Sequence, residues 1–180
     1  MTNLAFNKAL AFVLRFEGGY SNTPADRGGE TYCGISRRFN PDWSGWAILD
    51  GIVHFNFEKD KQKLAESVNG FYFALWNGLH IDDLSENIAC FIFDTAVNCG
   101  ALPAGKVFQH ALNDLGAGIQ VDGIIGQQTV DAFRQTKISE GVILKLMQLY
   151  RIFIYWTIAQ KNPKQRVFFY GWLNRTLTKI

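Results

Sequence analysis

A mostly α fold with a small β or loop element near its N-terminal end is what the sequence predicts, on three observations. Apolar residues recur at three- and four-residue spacing along most of the chain, the pattern of helices with one buried face. One stretch, residues 18–36, breaks that pattern with glycines and polar residues and suits short strands joined by turns. The 180 residues are 48% hydrophobic and 14% aromatic, enough for a sizeable core and unlike a disordered chain.

Residues 4–16 read as an amphipathic helix, since Phe6, Leu10 and Val13 fall on one stripe. After the polar stretch, Asn40-Pro41-Asp42-Trp43-Ser44-Gly45-Trp46 reads as a turn-rich connection, and residues 58–76 regain helical spacing. Ser85-Glu86-Asn87 is suited to cap a helix carrying Ile88, Phe91, Ile92 and Thr95, with Gly100 as its stop. Pro103 fits the first turn of a helix with Val107, Ala111, Leu112 and Leu115, which Gly116 and Gly118 end. A short helix is expected over 129–135, and Ser139 is suited to cap a long one. The run 142–159 within it is the most hydrophobic of the chain, yet Lys145, Gln148 and Arg151 interrupt it, so it reads as a central core helix rather than a membrane span. Residues 165–177 form the last helix.

The stripe of the first helix has its next inward position at Glu17, so an acid continues an apolar face at the helix end. Burial and the partial negative charge of a helix C-terminus both favour the proton-bearing form of an acid, as a general acid requires. Asp26 stands in a glycine-rich polar loop where solvent and backbone donors favour an ionised carboxylate. Two carboxyls in unlike environments suit an acid and a base, and the Thr31 hydroxyl could help Asp26 hold a water. The same residues also describe a plain helix stop at Gly18 and Gly19, with turn caps at Asp26 and Thr31 and a surface acid at Glu17.

The run Glu17-Gly18-Gly19-Tyr20, Pro24-Ala25-Asp26, Gly28-Gly29-Glu30-Thr31 and Gly34-Ile35-Ser36 resembles the signature of the glycosyl hydrolase 108 muramidases. The interval from Glu17 to Asp26 also resembles the phage T4 type of lysozyme, whose catalytic set is Glu, Asp and Thr, although here Thr31 follows Asp26 one residue sooner. Where the family pattern often has Asn and Tyr, this chain has Tyr32 and Cys33, and Arg27 replaces a small residue or Pro. A second run resembles the peptidoglycan-binding region that accompanies the family. It comprises Asp94-Thr95-Ala96-Val97-Asn98-Cys99-Gly100, Phe108-Gln109-His110, Val121-Asp122-Gly123 and Gly126-Gln127-Gln128-Thr129. Turn and helix-stop roles would account for the same residues: Asp122-Gly123 suits a turn and Gly126 a close approach of backbone.

The resemblance implies a lysozyme-like, two-lobed helical fold, with residues 1–90 as catalytic region and 91–180 as helical peptidoglycan-binding region, packed as one compact unit. It implies hydrolysis of the β-1,4 bond between N-acetylmuramic acid and N-acetylglucosamine. Glu17 would be the general acid, and Asp26 with Thr31 would activate the water, with inversion expected. Tyr20, Tyr32 and Asn98 would contact substrate, whereas Trp43 and Trp46 would line the groove or only pack. Neither metal nor organic cofactor is needed for that chemistry. Two other classes share the motif: a lytic transglycosylase, and a non-catalytic wall-binding or secretion-assisting protein.

Composition narrows the partners. A net charge of +2, with no Lys and Arg stripe along one helix, argues against nucleic acid. Residues 161–180 carry Lys161, Lys164, Arg166, Arg175 and Lys179 with no acid, so a weak contact with an anionic surface is expected there, or a solvated helix face. The partner expected is the bacterial glycan strand, met by a monomer. Cys33, Cys90 and Cys99 are an odd number without metal-ligand spacing, and His54, His80 and His110 are scattered, so neither a disulfide framework nor a zinc site is expected. The N-terminus lacks a basic segment ahead of its apolar stretch, which fits synthesis in the cytoplasm and action at the wall after release by another route, as expected of a phage lysis enzyme or, nearly as well, of a prophage-derived or secreted bacterial one.

Overall fold

The structure, a computed structural model, describes residues 4–22, 29–51 and 57–179. Of the described residues 68% are helical, so the mostly α expectation holds. In chain order the described residues form α1 (Leu4–Leu14), β1 (Tyr20–Asn22), β2 (Glu30–Tyr32), β3 (Ile35–Ser36), α2 (Gly45–Asp50), α3 (Phe57–Gly78), α4 (Glu86–Cys99), α5 (Ala101–Asp114), α6 (Gln127–Gln135), α7 (Glu140–Lys161), a 3₁₀ turn (Pro163–Phe168) and α8 (Phe169–Leu177). Two compact units divide the chain: Leu10–Gly78, and Met1–Ala9 with Leu79–Ile180.

In the unit Leu10–Gly78, the end of α1 buries Leu10, Phe12 and Val13. Helix α3 buries Leu64, Val68, Tyr72 and Trp76, a stripe at four-residue spacing. The three strands form one antiparallel sheet in the order β1-β2-β3. Tyr20 lies opposite Tyr32, and Ser21 opposite Thr31. Helix α2 packs on α3. It was not expected in what reads as a turn-rich connection. Its start is shaped by Gly45, whose missing side chain leaves room for the Trp43 ring, which a Cβ there would strike. Trp43 and Trp46 meet edge to face at 4.9 Å and are buried, so these two rings pack. Their indole N–H groups donate to Ser67 O at 3.2 Å and Asn40 O at 2.8 Å.

The other unit is built around α4, which packs on α5 and α7, with α8 along the middle of α7. Its apolar core includes Ile88, Ile92, Phe93, Phe108, Ala111, Ile143 and Met147. The first residues of α1 join it: Phe6 meets Phe93 edge to face at 6.0 Å, and Lys8 Nζ reaches Glu86 at 2.6 Å. At the centre Asp94, 1% exposed, accepts from Arg151 Nη1 at 2.5 Å and from Arg175 Nε at 2.8 Å. Arg151 Nε donates to the Tyr155 hydroxyl at 2.8 Å, and that hydroxyl donates to Asn98 Oδ1 at 2.7 Å. One carboxylate thus joins α4, α7 and α8.

The loop between α5 and α6 hangs on Gln109. This buried amide accepts from Gly123 N at 2.7 Å and donates to Asp122 Oδ1 at 2.8 Å and Ile124 O at 3.0 Å. Asp122 Oδ1 also accepts from Ile124 N, so the expected Asp122-Gly123 turn forms. Gly123 has a φ of 89°, where a side chain is strained. The close backbone approach expected at Gly126 is instead that of Gly105 on Gly123, where a Cβ on Gly105 would meet Gly123 O. Nothing lies within 4 Å of a Cβ at Gly126.

Four further expectations need correction. Helix α1 ends at Leu14, and Phe16 and Glu17 follow in a turn whose amides donate to Val13 O. Ser85 and Ser139 stand at the N-cap positions of α4 and α7, but neither side chain caps. Acids in the first turns, Glu86 and Glu140, complement the helix dipoles there. The last helical stretch opens as a 3₁₀ turn, because Pro163 begins it and Asn162 Oδ1 accepts from Lys164 N. Helix α7 is not buried all round: Ile143, Met147, Arg151, Tyr155 and Ala159 face the core, while Leu149 and Phe153 are 61% and 60% exposed.

Replacing Asp94 by Asn should destabilise the protein by about 3–5 kcal/mol, because two buried guanidinium groups lose their common partner. Urea unfolding checks this, and a loss no larger than that of an ordinary surface substitution would contradict the central role of the carboxylate.

Candidate active site

Strands β2 and β3 are joined by two residues, Cys33 and Gly34, since Tyr32 pairs with Ile35. Both have positive φ, 47° and 80°, the combination a type I′ hairpin turn demands. Glycine suits the second position for a further reason. A Cβ on Gly34 would stand 2.5 Å from Glu17 Oε2 and 2.9 Å from the Tyr72 hydroxyl oxygen. The Glu17 carboxyl and the Tyr72 hydroxyl therefore converge on the bare face of this glycine. Tyr72, only 2% exposed, donates its hydroxyl proton to Cys33 O at 2.7 Å, which ties α3 to the hairpin turn.

Glu17 is half-buried in the turn after α1, its amide donating to Val13 O at 3.1 Å. The turn thus presents the carboxyl to the hairpin, at the end of the buried stripe of Leu10 and Val13. Burial pushes the Cys33 thiol up, and the neighbouring Glu17 carboxyl acts in the same direction against a lowering hydrogen bond with Tyr32. A thiol in that state is a poor nucleophile.

The other residues singled out in the sequence fall as follows. Thr31 is at the middle of β2, half-buried, opposite Ser21 on one side and Ser36 on the other. Tyr20, 55% exposed, donates its hydroxyl to Glu30 Oε1 at 3.0 Å. Tyr32 is half-buried and stacks on Trp43 at 6.0 Å, and burial raises its phenol above the usual range. Asp26 and Arg27 lie outside the described residues, as does His54. Asn98 belongs to the other unit, exposed in the last turn of α4, with its carbonyl oxygen held by Tyr155.

Glu30, next to Thr31, forms an ion pair with Arg37 Nε at 2.9 Å, and Arg37 reaches Asp50 at 2.7 Å while its guanidinium lies 4.6 Å over the Trp46 ring. This chain fixes the sheet on α2. Sequence reasoning missed Tyr72 and the function of Gly34. The glycine was visible as part of a motif, but Tyr72 sits on a four-residue stripe that reads only as core. Among the described residues no group of three or more His, Cys, Asp or Glu side chains gathers as a metal site.

In the second unit, the end of α5, the loop after it and α6 border a cavity of about 790 Å³. Leu112, Leu115 and Ile119 give it an apolar side, and Asp131, Gln135 and Lys137 a polar one. Gln128 of the second resembling run lines it, whereas Glu17, Tyr20, Thr31, Tyr32 and Asn98 do not.

The model of the glycosyl hydrolase 108 family matches residues 10–100, the segment that contains Glu17, the hairpin and Tyr72. The chain belongs to that family. The model of a predicted peptidoglycan domain matches residues 103–177 of this glycosyl hydrolase. Together they make the protein a glycoside hydrolase of peptidoglycan. Among solved structures, that of SagA from Brucella abortus is similar over 95% of this chain and 88% of that one, with 26% identity and a TM-score of 0.65. No curated protein matches.

Gly34→Ala tests the convergence. Its Cβ would displace the carboxyl of Glu17, so release of soluble fragments from purified peptidoglycan should fall about a hundredfold. The accompanying loss of stability, from the left-handed backbone, should be only about 1–2 kcal/mol. Thermal unfolding measured beside activity separates the two effects.

Proposed function

We propose that this glycosyl hydrolase is an N-acetylmuramidase, cleaving the β-1,4 bond between N-acetylmuramic acid and N-acetylglucosamine with Glu17 as general acid. The observation that carries the reading is the seat of the Glu17 carboxyl against Gly34 and beside the Tyr72 hydroxyl. A carboxyl held by a rigid turn, half-buried, is oriented for transfer of its proton to one atom, the departing glycosidic oxygen. Tyr72 acts by holding the hairpin turn against that carboxyl.

Asp26 serves as the base that deprotonates a water on the opposite face of the sugar, and Thr31 orients that water. The outcome is inversion, for which the two carboxyls would stand roughly 6.5–9.5 Å apart to admit the water. Tyr20 and Tyr32 meet the sugar with ring edges and hydroxyls. In the other unit, the exposed Asn98 offers its amide to glycan, its oxygen being engaged by Tyr155. The cavity beside α6 is a second place where the peptidoglycan-matched region can hold a wall fragment, through the amide of Gln135 and the charges of Asp131 and Lys137. The protein works as a monomer at the bacterial wall, after release from the cytoplasm in which it is made, in the manner of a phage lysis enzyme.

Mass spectrometry of purified peptidoglycan digested by wild type and by Glu17→Gln decides the matter. Fragments with reducing N-acetylmuramic acid ends, lost by a factor of about 10³ or more in the variant, are expected. Anhydro ends would make the protein a lytic transglycosylase, reducing N-acetylglucosamine ends a glucosaminidase, and an undigested wall a binding protein.

A further inference from the structure

Helix α7 has two faces of unlike use. Ile143, Met147, Arg151, Tyr155 and Ala159 run along its core side. On the opposite side Val142, Leu149, Phe153 and Trp156 are 42%, 61%, 60% and 49% exposed. These four recur at helical spacing, and Lys145 falls in the same stripe. The rings of Phe153 and Trp156 stack at 5.8 Å, so the exposed aromatics form one continuous surface. By length and composition the helix could cross a bilayer. Its other face, however, is fastened into the unit by the ion pair of Arg151 with Asp94. A helix anchored along one side and apolar along the other has the arrangement of one that lies flat in a membrane surface.

The formal charges from this helix's second residue onward are of one sign. From Gly141 to Ile180 the sequence contains no Asp or Glu. Arg151 and Arg175 are paired with Asp94, whereas Lys145, Lys161, Lys164 and Arg166 are exposed. Glu140, in the first turn of α7, accepts from Asn87, and Asp114 of α5 accepts from Tyr150 of α7. Arg166 donates to Ala159 O at 3.3 Å, which holds the cationic 3₁₀ turn against the end of α7. Exposed aliphatic and aromatic side chains, with lysines in the stripe and at its end, complement acyl chains below and anionic headgroups beside them.

We infer that the outer face of α7 docks on an anionic lipid bilayer, with Leu149, Phe153 and Trp156 entering the headgroup region and Lys145, Lys161 and Lys164 meeting lipid phosphates. The contact is peripheral and does not use the residues placed in glycan cleavage. It would keep a wall-cutting enzyme at the membrane side of its substrate.

Co-sedimentation of the full chain with vesicles tests this. The protein should pellet with vesicles of equal phosphatidylglycerol and phosphatidylcholine, remain in solution with phosphatidylcholine alone, and be released by salt. Phe153→Ser with Trp156→Ser should weaken the partition by about tenfold or more. Hydrolysis of purified peptidoglycan and far-UV circular dichroism should be unchanged in that variant. Lys145→Glu with Lys161→Glu, which leaves the apolar face intact, should weaken it similarly if folding of the first variant suffers. Any of three results would overturn the inference: no pelleting with the anionic vesicles, equal pelleting with both kinds, or binding that survives both double substitutions. So would a wild type that elutes as a dimer which Phe153→Ser with Trp156→Ser converts to a monomer, since the face would then belong to a second copy.

Discussion

The buried carboxylate of Asp94 is the constraint on which the larger unit depends. It sits on α4 and receives Arg151 of α7 and Arg175 of α8, both themselves buried. Helix α4 is thereby required to meet α7 and α8, whose arginines lie 57 and 81 residues further along the chain, at one point with little freedom in register, because a guanidinium left unpaired in such a place is strongly destabilising. The relay continues through Tyr155 to Asn98 at the exposed end of α4. A surface amide is thus held by the same network that organises the core, which fixes its orientation without a rigid loop of its own.

The smaller unit solves a related problem by different means. Its acid is placed by backbone geometry: a turn after α1 presents Glu17, and a two-residue hairpin turn offers a glycine without a side chain to receive it. Tyr72 connects this turn to the stripe of α3, so the position of the carboxyl is tied to the packing of a long helix. Around it, the Glu30, Arg37 and Asp50 chain and the Trp43 and Trp46 pair hold the sheet on α2. Structure near the acid therefore rests on short polar links and aromatic packing, where three short strands alone would be marginal.

Helix α7 shows how one element serves two demands. The most apolar run of the chain suggests full burial, yet only a stripe is covered, and the remainder stays at the surface beside cations that have no acidic counterpart within the last forty residues of the sequence. Hydrophobicity summed along a segment cannot separate these cases, because it counts residues without assigning them to faces.

Most of the fold was legible from periodicity. The stripe of Phe6, Leu10 and Val13, the helix through Ile88, Phe91 and Ile92, and the stop at Gly100 all appear where local spacing and punctuation put them. Local chemistry also located the hairpin region and the Asp122-Gly123 turn. The motif containing Glu17 and Gly34 marked the candidate site, since both residues lie in one short run of sequence. What spacing could not reveal were relations between distant residues. The hydroxyl of Tyr72 reaches the hairpin from a position that reads as core, and Gln109 binds the loop around Gly123 across more than a dozen residues. The side chains of Ser85 and Ser139 do not cap, although their types and positions suit capping. Sequence by itself determined most of the helical segments, the stop at Gly100 and which acid follows an apolar stripe, because those follow from interactions among near neighbours. Tertiary structure alone decided that Gly34 receives this acid, that Asp94 takes two arginines and that α7 keeps one face exposed, because each depends on groups brought together only when the chain closes on itself.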